Sequence, residues 1–233
     1  MPPTLILIRH AQALHNIEGR YDIHDPDLSE LGFEQLKLLR ESLMAHPLAQ
    51  NAGLIVTSPM RRTIQTTLGS VDWLISNGVK VEADADWQEN SVKPCDTGSP
   101  VTALGEEFPV VDFSSLDPVY PDKSTPAGSK YAYNKTALLA RGQRALRKLY
   151  NRPEKVIIVI SHSGFLRECI SGFWYFNSDY RIFEFEERAS DDEPYTLKQS
   201  DETLEKGGGL GLSHKRAVGL GNNLPDESLK NAQ

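Results

Sequence analysis

Cysteine is scarce in this sequence: Cys95 and Cys169 are the two present, and no metal-type spacing relates them. That excludes a disulfide framework and a zinc-ribbon type of site. Positive charge is also short, with 25 Lys and Arg against 32 Asp and Glu for a formal charge of −7. No overall field then draws the chain to nucleic acid or to an anionic membrane. Long apolar runs are missing too. The aliphatic stretches 4–8 and 156–160 fall well short of the ~20 residues needed to cross a bilayer. Met1-Pro2-Pro3 meets the first of them without the basic and apolar regions of a signal peptide. The expectation is a reducing, cytoplasmic setting, in which an anionic substrate is caught by locally placed arginines.

Present in their place are short aliphatic segments with unusual endings. Thr4-Leu5-Ile6-Leu7-Ile8 runs into Arg9-His10, and Val156-Ile157-Ile158-Val159-Ile160 runs into Ser161-His162-Ser163-Gly164. Between them, Gly53 to Thr57 reads as a second buried strand, and Val79 to Glu82 as a third. Ser29 is a good cap for a helix with Leu31, Leu36, Leu39 and Leu43 at near-helical spacing, ending before Pro47. Ser58-Pro59 opens another helix, which places Arg61 and Arg62 in its first turn. Arginine there opposes the helix dipole, yet it suits the gripping of phosphate. Residues 129–150 read as a further helix, and Arg181 to Phe185 alternates like an edge strand. This alternation of strand and helix predicts an α/β fold, a sandwich around a mostly parallel sheet. The catalytic domain is expected over 1–186, with an irregular substrate loop at 83–126. Residues 187–233 are polar, contain the Gly207–Gly211 run, and are expected to form a partly flexible extension.

In parallel sheets, ligands gather beyond the carboxyl ends of the strands. Arg9, His10, Arg62 and His162 would meet there. Either histidine alone would read as structural, but two of them behind aliphatic strands point to a site. Two arginines and two histidines with no carboxylate cluster suit a phosphoryl group better than a divalent metal, since the arginine fork matches phosphate oxygens. One neutral histidine can attack phosphorus while its companions stabilise the equatorial oxygens. His15, His24, His46 and His214 are read as surface or loop residues.

Four segments in this order resemble those of the histidine phosphatase (phosphoglycerate mutase-like) superfamily. They are Leu7-Ile8-Arg9-His10 with Asn16 six positions on, Asp27-Leu28-Ser29-Glu30-Leu31-Gly32-Phe33-Glu34-Gln35, Ser58-Pro59-Met60-Arg61-Arg62-Thr63-Ile64-Gln65-Thr66, and Ser161-His162-Ser163-Gly164. The resemblance implies a phosphoglycerate mutase-like three-layer α/β/α sandwich and a phosphohistidine formed on His10. It implies a pocket completed by Arg9, Arg62 and His162, with Asn16, Arg20 and Ser163 beside the substrate. A carboxylate would protonate the leaving oxygen and then activate water, so neither metal nor cofactor is required. Trp87-Gln88-Glu89 resembles the family's acid segment and makes Glu89 the choice, with Asp86 and Asp96 close in sequence. The mutase branch carries extra basic residues for a bisphosphate, and these are not evident around Ala11-Gln12-Ala13, Asn90-Ser91-Val92 or Ser163-Gly164. The expectation is a phosphoric monoester hydrolase of the histidine acid phosphatase type, acting on a small phosphorylated metabolite. A bisphosphate-dependent phosphoglycerate mutase and a catalytically silent phosphate-binding module are the alternatives.

Overall fold

The computed structural model describes residues 1–226. Five parallel strands form the body of the sheet: β1 (Thr4–Arg9), β2 (Leu54–Thr57), β3 (Lys80–Ala83), β4 (Val111–Asp112) and β5 (Val156–Ser161). Three antiparallel strands extend it: β6 (Asp179–Phe185), β7 (Leu197–Gln199) and β8 (Gly208–Gly209). The order is β4-β3-β2-β5-β1-β6-β7, with β8 also paired to β6. A strand covered on both faces has no polar side, which explains why β1 and β5 are apolar at every central position. Ile6, Ile8, Ile55, Ile158 and Ile160 pack on one face with Leu39, Leu43 and Ile64 of the helices α1 (Glu30–Ala45) and α2 (Arg61–Ser70). Leu5, Leu7, Val56, Ile157 and Val159 pack on the other face with Leu138, Leu146 and Leu149 of α5 (Lys135–Tyr150). This is a three-layer α/β/α sandwich. Two short helices, α3 (Asp72–Ser76) and α4 (Val101–Glu107), precede α5, and α6 (Ser163–Phe165) follows β5 and continues as a π-helical turn, Leu166–Ser171.

Several local expectations change. Ser29 does cap α1, its Oγ accepting from Gly32 N at 3.0 Å, but that phase leaves Leu31 48% exposed and turns Gly32, Gln35 and Leu36 inward. α2 starts at Arg61, two residues later than Ser58-Pro59 suggests. Its first N–H donates to the buried carboxylate of Asp25, 3.0 Å away, because Ser58 Oγ is engaged elsewhere. β6 is an interior strand, with β1 on one side and β7 and β8 on the other. The 83–126 segment is irregular only in part, since it contains α4, β4 and the 3₁₀ turns Ala85–Trp87 and Pro94–Asp96.

The expected extension also differs. Residues 197–226 return to the domain, where Asp179 accepts from the backbone N–H groups of Gly211, Leu212 and Ser213 at 2.7–2.8 Å. Buried Arg181 donates to the carbonyls of Trp174, Thr203, Leu204 and His214. A polar composition is compatible with order here because buried charged side chains of β6 satisfy the segment's backbone. The last part of that extension, 227–233, lies outside the described residues.

Candidate active site

The ladder between β1 and β5 pairs Arg9 with Ser161, so His10 and His162 each follow the last paired position. His10 N donates to Ser161 O at 3.0 Å and Ser58 N to Ile160 O at 2.9 Å, which ties the ends of three strands together. Both histidines are buried, with ring centroids 5.2 Å apart. His10 Nδ1 lies 2.7 Å from the carbonyl of Ala11. A carbonyl only accepts, so Nδ1 carries the proton and Nε2 keeps its lone pair. Arg62, fully buried at the start of α2, donates from Nε to that Nε2 at 3.3 Å. The Thr66 hydroxyl, one turn later, accepts from Ala11 N at 3.0 Å and holds the backbone just beyond the nucleophile candidate. Desolvation, with Arg62 adding to it, pushes both His10 and His162 well below the ordinary histidine value, so both rings are neutral at pH 7.

Arg9 is half-buried and donates from Nη1 to Tyr175 O at 2.8 Å. Desolvation lowers it to about 10, which leaves it charged at neutral pH. His162 Nε2 meets Ser58 Oγ at 2.8 Å. Arg9 Nε and His162 Nδ1 are buried and have no hydrogen-bond partner within the described protein.

Glu89 follows the turn Ala85–Trp87 and sits at the N-terminus of α6, immediately after His162. Its Oε1 accepts from Asn90 N (2.9 Å) and Phe165 N (3.0 Å), and its Oε2 from Gly164 N (3.1 Å). A Cβ at Gly164 would lie 2.6 Å from Oε1, so this approach needs glycine. Burial, and then the charge of Asp96, raise Glu89 above the ordinary carboxylate value, while Arg62 and the backbone donors pull it back. Buried cations hold this loop from behind. Lys123 Nζ donates to the carbonyls of Glu89 (2.7 Å), Ser91 (3.0 Å) and Asp96 (2.5 Å). Arg141 Nη2 donates to Gln88 O (2.9 Å) and Asn90 Oδ1 (2.7 Å). Desolvation lowers Lys123 to about 7.

Of the other candidates, Asn16 is brought to the site. Its Oδ1 accepts from Ala13 N at 3.0 Å and lies 3.4 Å from Asn177 Nδ2, which itself donates to His10 O at 3.0 Å. Ser163 opens α6 directly beside His162 and is half-buried. Arg20 is not brought in. It pairs with Asp22 at 3.2 Å in solvent, because a chain turn two residues long reaches a carboxylate sooner than the pocket. Asp86 is buried against Arg144 and Lys148, each at 2.8 Å, which makes it part of the packing of α5 rather than a rival to Glu89. Arg61 is spent on Glu107 and Asp27.

His15 is a correction. Read as a surface or loop residue, it lies in the loop after β1 but is 6% exposed, with its ring centroid 5.8 Å from that of His10 and its Nε2 3.1 Å from Asn16 Nδ2. Desolvation, with Arg62 adding to it, lowers it to about 3. Its place just before Asn16 was the one available signal. Lys123 lies in the 83–126 segment expected to line the pocket, but its role in holding the Glu89 loop was not expected, and Arg141 gave no signal. Among the described residues no group of three or more His, Cys, Asp or Glu converges as a metal would need, and no helix is long and apolar enough to cross a membrane.

The family model for the histidine phosphatase superfamily, branch 1, matches residues 5–187. Phosphoglycerate mutase-like protein 1 of Arabidopsis thaliana is 28% identical over 197 residues, covering 70% of this chain and 69% of its own. Phosphoserine phosphatase 1 of Hydrogenobacter thermophilus is 28% identical over 208 residues, 79% of this chain and 87% of its own. Among solved structures, the ecdysone phosphate phosphatase of Bombix mori matches with a TM-score of 0.57 at 15% identity, over 85% of this chain and 92% of that one. At such identity the likeness is one of fold.

Proposed function

The chain belongs to the histidine phosphatase superfamily, branch 1, and from that premise we propose that it is a metal-independent phosphomonoesterase of the histidine acid phosphatase type, hydrolysing a small phosphorylated metabolite through a phosphohistidine on His10. The observation that carries this reading is the tautomer of His10. The Ala11 carbonyl engages Nδ1–H, which leaves the Nε2 lone pair facing the Nε–H of Arg62. Nucleophile and clamp therefore converge on one point.

The first step forms the bond from His10 Nε2 to phosphorus and breaks the bond from phosphorus to the ester oxygen. Arg9, Arg62 and His162 stabilise the charge on the equatorial oxygens. Of the two directions that the 2.8 Å contact with Ser58 Oγ allows, the one in which the hydroxyl donates to His162 Nε2 puts the ring proton on Nδ1, free to donate to the phosphoryl group. The Glu89 carboxyl gives its proton to the departing alkoxide. In the second step the Glu89 carboxylate takes a proton from water, whose oxygen attacks phosphorus, and the bond to Nε2 breaks. Inorganic phosphate leaves with the histidine restored. Burial of Glu89 supports the acid role, because it favours the protonated form that the first step consumes. Asp96 is instead paired with Arg62 at 3.3 Å, on the clamp itself.

Rapid mixing with an aryl phosphate, followed by an alkaline quench, should trap one phosphoryl group on His10 by intact mass and peptide mapping. Turnover should be unchanged by chelator. A protein that releases phosphate without ever carrying label on His10 would overturn the reading. The names of the Arabidopsis relatives make phosphoglycerate mutase the second reading. Isomerisation of phosphoglycerate that depends on a bisphosphate primer would establish it instead.

A further inference from the structure

Arg62 makes three contacts in a row along its guanidinium. Nε meets His10 Nε2 (3.3 Å), Nη1 meets Cys95 O (2.6 Å), and Nη2 meets Asp96 Oδ1 (3.3 Å). A phosphoryl group on His10 Nε2 would therefore sit across the width of one guanidinium from the Asp96 carboxylate. That carboxylate is 14% exposed, and it is fixed by the Ser91 hydroxyl, which donates to Oδ2 at 2.6 Å. Its own backbone carbonyl is pinned by Lys123. A clamp for phosphate gains nothing from a carboxylate on its outer nitrogen, because like charges repel the incoming anion. Two cations of this wall are engaged in holding it: Lys123 donates to three carbonyls, and Arg141 to the carbonyl of Gln88 and the amide oxygen of Asn90. Lys93 is exposed and lies 4.3 Å over the ring of Tyr21. A second anionic group arriving beside the phosphate would thus face the Asp96 carboxylate, with Lys123 and Arg141 already turned to the loop's own oxygens.

We propose that Asp96 sets the substrate class: it admits phosphomonoesters whose alcohol portion is neutral or cationic next to the phosphate, and it disfavours those carrying a second anion there. The proposal rests on the phosphomonoesterase reading. Its discrimination is of the repulsive kind, in which an unfavourable charge contact rejects the wrong partner.

Three two-carbon esters of matched size test it: phosphoethanolamine, ethyl phosphate and phosphoglycolate. Wild-type kcat/KM should fall in that order, with a span of about tenfold or more between the outer two. Asp96→Asn should raise phosphoglycolate and lower phosphoethanolamine relative to ethyl phosphate, while Asp96→Glu, which restores the charge, should restore the order. Wild-type turnover of phosphoglycolate equal to that of ethyl phosphate overturns the proposal without any variant, as does an unchanged ratio in a folded Asp96→Asn protein. Calorimetric binding of the same three esters to His10→Ala protein reads the charge order without turnover. If His10→Ala still hydrolyses an aryl phosphate, the phosphatase reading fails; if that activity is lost but binding ignores charge, the Asp96 proposal fails alone.

Discussion

Along one side of the site, Arg9, His10, Ser58 and His162 are placed by the ladder that joins β1, β2 and β5. Across from them, Glu89 and Asp96 lie on a loop outside the sheet whose only regular structure is short 3₁₀ turns, held by two cations that reach in from residues 123 and 141. The first side shares its support among many backbone hydrogen bonds and the core on both sheet faces. The second concentrates its support in single side chains. A ladder therefore tolerates one lost contact, whereas a loop hung on a buried ammonium loses its geometry when that group goes.

The strongest way to break this comparison is at the nucleophile candidate. His10→Ala should lower kcat for an aryl phosphate by about 10³-fold or more, while circular dichroism reports an intact fold. Retained turnover would mean that the strand ends do not carry the chemistry.

Next in size is the loop's proposed proton donor. Glu89→Gln should lower kcat for an alkyl phosphate by about 10²- to 10⁴-fold, and less for an aryl phosphate whose leaving oxygen needs no proton. The pH profile has a definite sign. In the proposed mechanism His10 reacts as the neutral ring, and its lowered pKa should extend activity towards acid. The same mechanism needs Glu89 protonated for the first step, so kcat/KM should fall as pH rises through its raised value. The Gln variant should lack that alkaline limb.

Lys123→Met sharpens the contrast directly. Three carbonyls lose their donor, at about 1–3 kcal/mol for each one left unsatisfied, read from urea unfolding. In the unfolded chain this lysine titrates near 10.5, and in the folded protein near 7. Between those values the unfolded state binds the extra proton, so stability from this group rises with pH. The wild-type advantage over Lys123→Met should therefore grow from pH 7 to pH 9. Activity should fall through kcat, with the His10 phosphorylation site unchanged.

The smallest effects belong to carboxylate and arginine positions outside both walls. Asp86→Asn touches only Arg144 and Lys148 on α5, and Arg20→Ala only an exposed pair with Asp22. Steady-state kinetics on the same ester should show neither kcat nor KM altered. A raised KM in Arg20→Ala would bring the loop after β1 back into the site.

The strand ends were legible in sequence because aliphatic runs finishing in Arg-His and Ser-His contradict a buried strand's own preferences. Glu89 was legible only through its resemblance to a family segment. His15 was missed because its burial comes from the fold of the loop around it, and its place beside Asn16 was too weak a signal to announce that. The C-terminal extension was misread for a related reason. Its order comes from Asp179 and Arg181 on β6, which hold backbone groups 22 to 34 residues later in the chain.

By itself the amino-acid sequence determined the aliphatic strands β1, β2, β3 and β5, the long helices α1, α2 and α5, and the four site candidates Arg9, His10, Arg62 and His162. These follow from local patterns: period, capping and the polarity of neighbouring positions. Only the tertiary structure decided that Glu89 sits on the backbone N–H groups just after His162, which arginine stays in solvent, and that Asp96 sits on the clamp. Those outcomes depend on side chains far apart in sequence meeting in a desolvated space, where one hydrogen bond or one charge outweighs any local preference.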